Sequence, residues 1–198
     1  HEQRRLERRV IDHVEDNPIN VSYQLENEAL LKSFGEMPEI IRSRLRAEYR
    51  LVKQLDPSRP VIMTTSNSWG LPARKPRPDI IGFSYYHTVY NDRLQTYTPS
   101  GHSPRIHKFR AWLAAWLLGR KAFIHELQLE PWGPKAIWEM PLSEQDKSMS
   151  HEDIKRNVAK AISVGIYPID LWGGEWWYWR IKVHHDTSIW HAVRQSLR

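Results

Sequence analysis

The sequence contains no cysteine. That excludes disulfides, a thiolate nucleophile and cysteine-based zinc sites, and it leaves the compartment open. There is no run of eighteen apolar residues, so no membrane-spanning helix is expected. No Gly-rich phosphate loop follows any apolar run, which removes the usual mark of a doubly wound nucleotide-binding sheet. Nucleic-acid motifs are also missing. The formal charge of +6 is spread through helical stretches, densest at Arg4, Arg5, Arg8 and Arg9, and reads as solvated helix face. The triplet His184-His185-Asp186 lacks a metal pattern, because neighbours on an extended chain point opposite ways and no further ligand cluster is visible. No metal or cofactor is expected.

Tryptophan is what the sequence has in excess: ten in 198 residues. Indole suits cores, but its flat face also stacks on sugar rings. A hydrophobic content of 40% and a charged content of 26% fit one globular domain, residues 1–198, or part of a larger one. The chain starts at His1 inside a charged helical pattern, so any targeting segment is expected upstream.

Apolar spacing predicts helices at 3–15, 38–55 (opened by Pro38), 104–118 and 151–164, and a last one capped by Thr187. Ser150 with Asp153 forms a capping-box pattern, and Gly119 and Gly165 close helices. Short strand-like runs fall at 19–28, 60–65, 79–86, 122–126 and 166–171. Residues 30–37 and 66–78, the latter with Trp69, read as loops. So do a Tyr-rich stretch to Ser103, the segment holding Trp132 and Trp138, and the aromatic run Glu175-Trp176-Trp177-Tyr178-Trp179. Trp112, Trp116 and Trp190 lie at helical spacing and are expected in the core. Strands alternating with helices give an α/β fold with a parallel sheet. An eight-unit barrel needs about 250 residues. Five units after a leading helix therefore suit its C-terminal part, with chemistry at the C-terminal strand ends.

Two runs end in carboxylates: Tyr23-Gln24-Leu25-Glu26-Asn27-Glu28 and Phe123-Ile124-His125-Glu126. Two strand-end carboxylates are the minimum for cleaving a glycosidic bond, one as acid/base and one as nucleophile. Glu28 and Glu126 are the candidates. Glu26 shares the parity of Glu28, and Glu130 follows Glu126 in parity, so both stay as alternatives. A surface ion pair is the ordinary role of any such residue taken singly. His125 precedes Glu126 with opposite parity and reads as packing.

Tyr23-Gln24-Leu25-Glu26-Asn27-Glu28-Ala29 and Phe123-Ile124-His125-Glu126-Leu127-Gln128-Leu129-Glu130-Pro131-Trp132 resemble strand ends of clan A glycoside hydrolases. These are the (β/α)8 retaining enzymes that include cellulases and mannanases. The resemblance runs from residue 19 to nearly the end. It implies strands four to eight of a TIM barrel, with strands one to three absent from this chain. The family pattern often has Pro where Ala29 stands and Glu where Gln24 stands. The resemblance implies Glu28 as acid/base, Glu126 as nucleophile, and Asn27 on the sugar 2-hydroxyl. Tyr86 would orient Glu126, with Tyr85 as the register alternative, and Trp172 would lie under the sugar. His87, Gln128 and Trp132 are further cleft candidates. The implied partner is an oligosaccharide or polysaccharide, cleaved at a β-linkage. A non-catalytic carbohydrate-binding fragment is the alternative, and the chain alone is expected to be poorly active.

Overall fold

The computed structural model describes Arg5, Arg8, Arg9, Ile11 and residues 22–28, 42–66, 76–100 and 103–198. Most of the predicted first helix, residues 19–21, Ala29, the 30–37 loop, Pro38, Ile40, Ile41 and Trp69 lie outside the described residues.

The fold is mixed α/β. In chain order the elements are β1 (Tyr23–Gln24), α1 (Arg42–Leu55), β2 (Val61–Thr65), β3 (Ile80–Tyr85), β4 (Thr88–Asn91), β5 (Thr96–Pro99), α2 (Pro104–Leu118) and β6 (Lys121–Gln128). A 3-10 turn (Ile137–Glu139), α3 (Leu142–Gln145), α4 (His151–Val164), β7 (Ile169–Trp172), α5 (Gly174–His184) and α6 (Ser188–Ser196) follow. Among the described residues the strands form a five-stranded sheet ordered β1-β2-β3-β6-β7 and a separate β4-β5 hairpin. The β1/β2 and β6/β7 pairings are parallel.

The chain divides into two compact units, His1–Gly82 with Arg110–Ala122 and Phe83–Phe109 with Phe123–Arg198. The first has a core of Ile11, Leu25, Leu45, Val52, Val61 and Met63. Leu45 and Val52 are one α1 face, spaced as a helix requires. Tyr23 pairs with Val61, and the Tyr23 hydroxyl donates to Asp56 at 3.1 Å, which ties the end of α1 to β1. Asp79 caps the start of β2 by accepting the Val61 N–H at 2.9 Å, and it pairs with Lys53 at 2.8 Å.

The second unit has the larger core. Ile124, Leu127 and Leu129 from β6 and its continuation meet Ile154, Val158 and Ala161 of α4, Trp176 and Trp177 of α5, and Ile189 of α6. The capping box at Ser150 and Asp153 forms as the sequence indicates, and Gly165 ends α4 in the left-handed conformation.

Several expectations need correction. The Tyr-rich stretch is the β4-β5 hairpin, with Tyr90 opposite Tyr97 at 5.3 Å between ring centres. Its β-branched and aromatic residues are good strand formers, but its Asp92-Arg93-Leu94-Gln95 turn lacks the usual glycine. The aromatic run 175–179 is the first half of α5, with Trp176, Trp177 and Arg180 on its buried face. Trp112 and Trp116 are exposed and stack on each other at 5.5 Å, so they are not core. Trp190 is also half-exposed, its ring 6.2 Å from that of Trp177. Thr187 occupies the N-cap of α6 without a side-chain cap bond; Asp186 instead accepts the Ser188 N–H at 2.8 Å. Asp186 also binds the Arg180 guanidinium, which spends the carboxylate of the His184-His185-Asp186 triplet on structure.

Candidate functional site

In the first unit, β1 is short and the chain turns at once through Glu26, Asn27 and Glu28. Glu26 and Glu28 both have positive φ, 43° and 44°. Non-glycine residues there cost about 1–3 kcal/mol each and persist where surrounding contacts enforce them. Thr64, near the end of β2, supplies those contacts. Its hydroxyl donates to Asn27 Oδ1 at 3.1 Å and accepts the Glu28 N–H at 2.8 Å. Gln24 Nε2 donates to the same Asn27 oxygen at 3.1 Å. Both bonds use Oδ1, and Asn27 itself is exposed. Glu28 is buried, whereas Glu26 is held in an ion pair by Arg44, which also bonds Glu48 at 2.7 Å. Glu26 thus takes the ordinary role of a strand-end carboxylate.

In the second unit, Glu126 lies within β6, which runs two residues beyond it to Gln128. The Tyr86 hydroxyl donates to Glu126 Oε2 at 2.8 Å, while Tyr85 is core. Register therefore brings Tyr86, rather than Tyr85, to this carboxylate. Glu126 is 3% exposed, and its Oε1 has no hydrogen-bond partner among the described residues. A buried carboxylate oxygen in that state is unusual and asks for a reason.

The aromatic surroundings are tied to Glu130. Trp172, last in β7, donates its indole N–H to Glu130 Oε1 at 2.7 Å, and Trp132 donates to the same oxygen at 3.2 Å. Trp132 also meets Tyr86 edge-on at 4.9 Å. Burial raises the Glu130 carboxyl above the ordinary range; the two indole donors oppose that, and the charges of Glu175 and Glu126 add to it. Gly173 permits the turn from β7 into α5. Its φ is +146°, and a Cβ there would stand 2.4 Å from the Leu129 carbonyl oxygen. That carbonyl accepts the Trp177 indole N–H at 2.8 Å.

Gln128 and His87 are placed inward. The Gln128 amide oxygen accepts the His87 and Thr88 N–H groups at 2.7 and 3.0 Å, and its Nε2 donates to the Thr88 carbonyl at 2.7 Å. Gln128 is fully buried and clamps the chain after β3 to β6. The His87 ring is buried 4.2 Å from Tyr85, and its pKa is pulled down to about 3, first by burial and then by Lys160 and Arg156.

Sequence parity placed His125 away from Glu126, but a register irregularity between Ile124 and Leu127 breaks the alternation. His125 Nε2 lies 3.6 Å from Glu126 Oε1, and Nδ1 lies 3.5 Å from Asp170 Oδ2. Bulges are not readable from a strand pattern, so this contact had no sequence signal. Thr64 did carry one: a hydroxyl near the end of the otherwise apolar run Val61-Ile62-Met63.

No family model matches the chain, and no curated protein matches it. Solved structures do. A GH2 beta-galacturonidase from Eisenbergiella tayi bound to glycerol aligns with a TM-score of 0.56 at 14% identity, over 98% of this chain and 35% of its own. The beta-D-glucuronidase of Dictyoglomus thermophilum aligns at 0.54 and 12% identity, over 85% of this chain and 28% of its own. An E. tayi GH2 beta-galacturonidase bound to galacturonate aligns at 0.52 and 16% identity, over 85% and 28%. The chain thus spans about a third of these proteins' length or less, and at such identity the likeness is one of fold.

Proposed function

We propose that the chain is the part of a retaining glycoside hydrolase that carries both catalytic carboxylates, on strands four to eight of a (β/α)8 barrel of the clan A kind. The observation that carries this is Glu126: a buried carboxylate with one oxygen oriented by Tyr86 at 2.8 Å and the other without a hydrogen-bond partner among the described residues, 3.6 Å from His125 Nε2. Half-exposed indoles stand close by in the same unit, Trp132 against Tyr86 and Trp172 on Glu130. Support also comes from structural neighbours that are themselves named as glycosidases of β-linked sugars.

Glu126 is the nucleophile. Its free oxygen attacks the anomeric carbon while the glycosidic C–O bond breaks and Glu28 gives its proton to the leaving oxygen. Water then attacks the same carbon, Glu28 takes the water proton, and the ester bond to Glu126 breaks. Both groups return to their starting states. Asn27, fixed through its oxygen, offers its amide hydrogens to the sugar 2-hydroxyl. Tyr86 holds Glu126 in its attacking rotamer. Gln128 and His87 support the site from behind, and Trp132 and Trp172 supply apolar faces. The substrate is an oligosaccharide or polysaccharide with a β-linkage.

The test is Glu126→Gln beside Glu28→Gln, each checked for folding by circular dichroism. Both should lose turnover of aryl β-glycosides, and azide should restore part of the Glu28→Gln activity by replacing water in the second step. A folded Glu126→Gln protein with full activity ends this reading. Oligosaccharide binding without release of reducing ends would favour a non-catalytic sugar-binding role.

A further inference from the structure

Glu130 is the residue whose surroundings the proposed chemistry leaves unexplained. One of its oxygens, Oε1, receives both indole N–H groups, from Trp172 at 2.7 Å and from Trp132 at 3.2 Å. Indole has a single donor and no acceptor, so one oxygen fixes the rotation of both rings. Each ring stays open: Trp132 is 38% and Trp172 is 42% exposed. The other oxygen, Oε2, has no hydrogen-bond partner among the described residues. A line of contacts runs from Glu130 through Trp132 and Tyr86 to Glu126. The indole donors are neutral, and Glu175 and Glu126, both carboxylates, are among the charged groups that act on Glu130.

We infer that Glu130, with the two indoles it holds, is a specificity-determining residue that accepts a neutral pyranoside and rejects a uronide; this rests on Glu126 marking the sugar site. Oε2 accepts a hydroxyl of the sugar, and the ring packs on the indole faces. A uronide brings its own carboxylate among Glu130, Glu126 and Glu175. Like charges at close range in a partly buried place repel strongly. The GH2 structures this fold resembles include one bound to galacturonate, so the proposal separates this chain from them by chemistry.

Matched sugars that differ only at C6 give the test. Methyl β-D-glucopyranoside is compared with methyl β-D-glucuronide, and methyl β-D-galactopyranoside with methyl β-D-galacturonide. Binding to the 198-residue chain is measured by ligand-observed NMR, independently of turnover. The neutral member of at least one pair should bind about tenfold or more tightly than its uronide, as repulsion between close carboxylates requires. Glu130→Gln keeps an acceptor for the indoles and should bring that ratio towards one. Glu175→Gln, at an exposed position, should reduce it in part and serves if the first variant fails to fold. Equal or tighter uronide binding, binding of no sugar, or a ratio unmoved by both variants overturns the inference. Neutral-sugar preference without turnover would sink the hydrolase reading alone. Turnover with uronide preference would sink this inference alone.

Discussion

Tyr86 and Glu126 show how far one side chain's orientation can rest on a single hydrogen bond. The Tyr86 hydroxyl is the one hydrogen-bond donor to Glu126 found among the described residues, and His125 Nε2 stands 3.6 Å from the other oxygen. A hydrogen bond to a charged group contributes about 1.5–3 kcal/mol. Tyr86→Phe should therefore lower kcat roughly ten- to a hundredfold while KM changes little. Steady-state kinetics on an aryl glycoside checks this, and an unchanged kcat would remove Tyr86 from its orienting role. His87 gives a prediction about acid. Its pKa lies near 3, below the ordinary 6.5, so the unfolded chain takes up a proton that the folded chain refuses. Stability from this group is complete above pH 6.5 and is lost as pH falls towards 3. Asp153, Lys160 and Arg156 act on the same ring, the last two adding to the depression. His87→Phe should flatten the fall of the urea midpoint between pH 6.5 and about 4. An identical slope in both proteins would contradict the assignment.

The elements show where sequence reasoning succeeded and where it stopped. Helices with caps were legible: Ser150 with Asp153 and Gly165 bound α4 as expected. Strand positions were legible too, since β2, β3 and β6 fall on the apolar runs. The hairpin of β4 and β5 and the start of α5 were not, because neither a glycine turn nor apolar periodicity announces them. Helical spacing of Trp112 and Trp116 suggested burial, but spacing fixes only a shared helix face, not whether that face is covered. Stability should follow burial and not hydrophobicity. Leu127→Ala, in the core, should cost about 2–5 kcal/mol. Trp116→Ala, at an exposed position, should cost under about 1 kcal/mol. Chemical denaturation compares them directly, and equal losses would refute the core assignment. Gly173→Ala should destabilise by more than about 1 kcal/mol, because the position has φ of +146° and faces a backbone oxygen.

For the whole molecule, the two candidate carboxylates were named from sequence, and each sits among buried or hydrogen-bonded neighbours in its own unit. Thr64 fixes the turn that carries Asn27 and Glu28, while Tyr86 bonds Glu126 and packs against Trp132, one of the two indoles that Glu130 holds. Sequence parity kept Glu130 as an alternative to Glu126, and the resemblance favoured Glu126 as nucleophile. Their surroundings differ: Glu126 has a phenol on one oxygen and His125 3.6 Å from the other, and Glu130 has two indoles. The central claim is that Glu126 forms the covalent intermediate. A 2-deoxy-2-fluoro-β-glycosyl fluoride traps that ester, and peptide mass spectrometry locates it. The expected result is a single modified peptide carrying the sugar on Glu126, with no label in Glu126→Gln. Label on Glu130 instead, or labelling that persists in Glu126→Gln, would contradict the account.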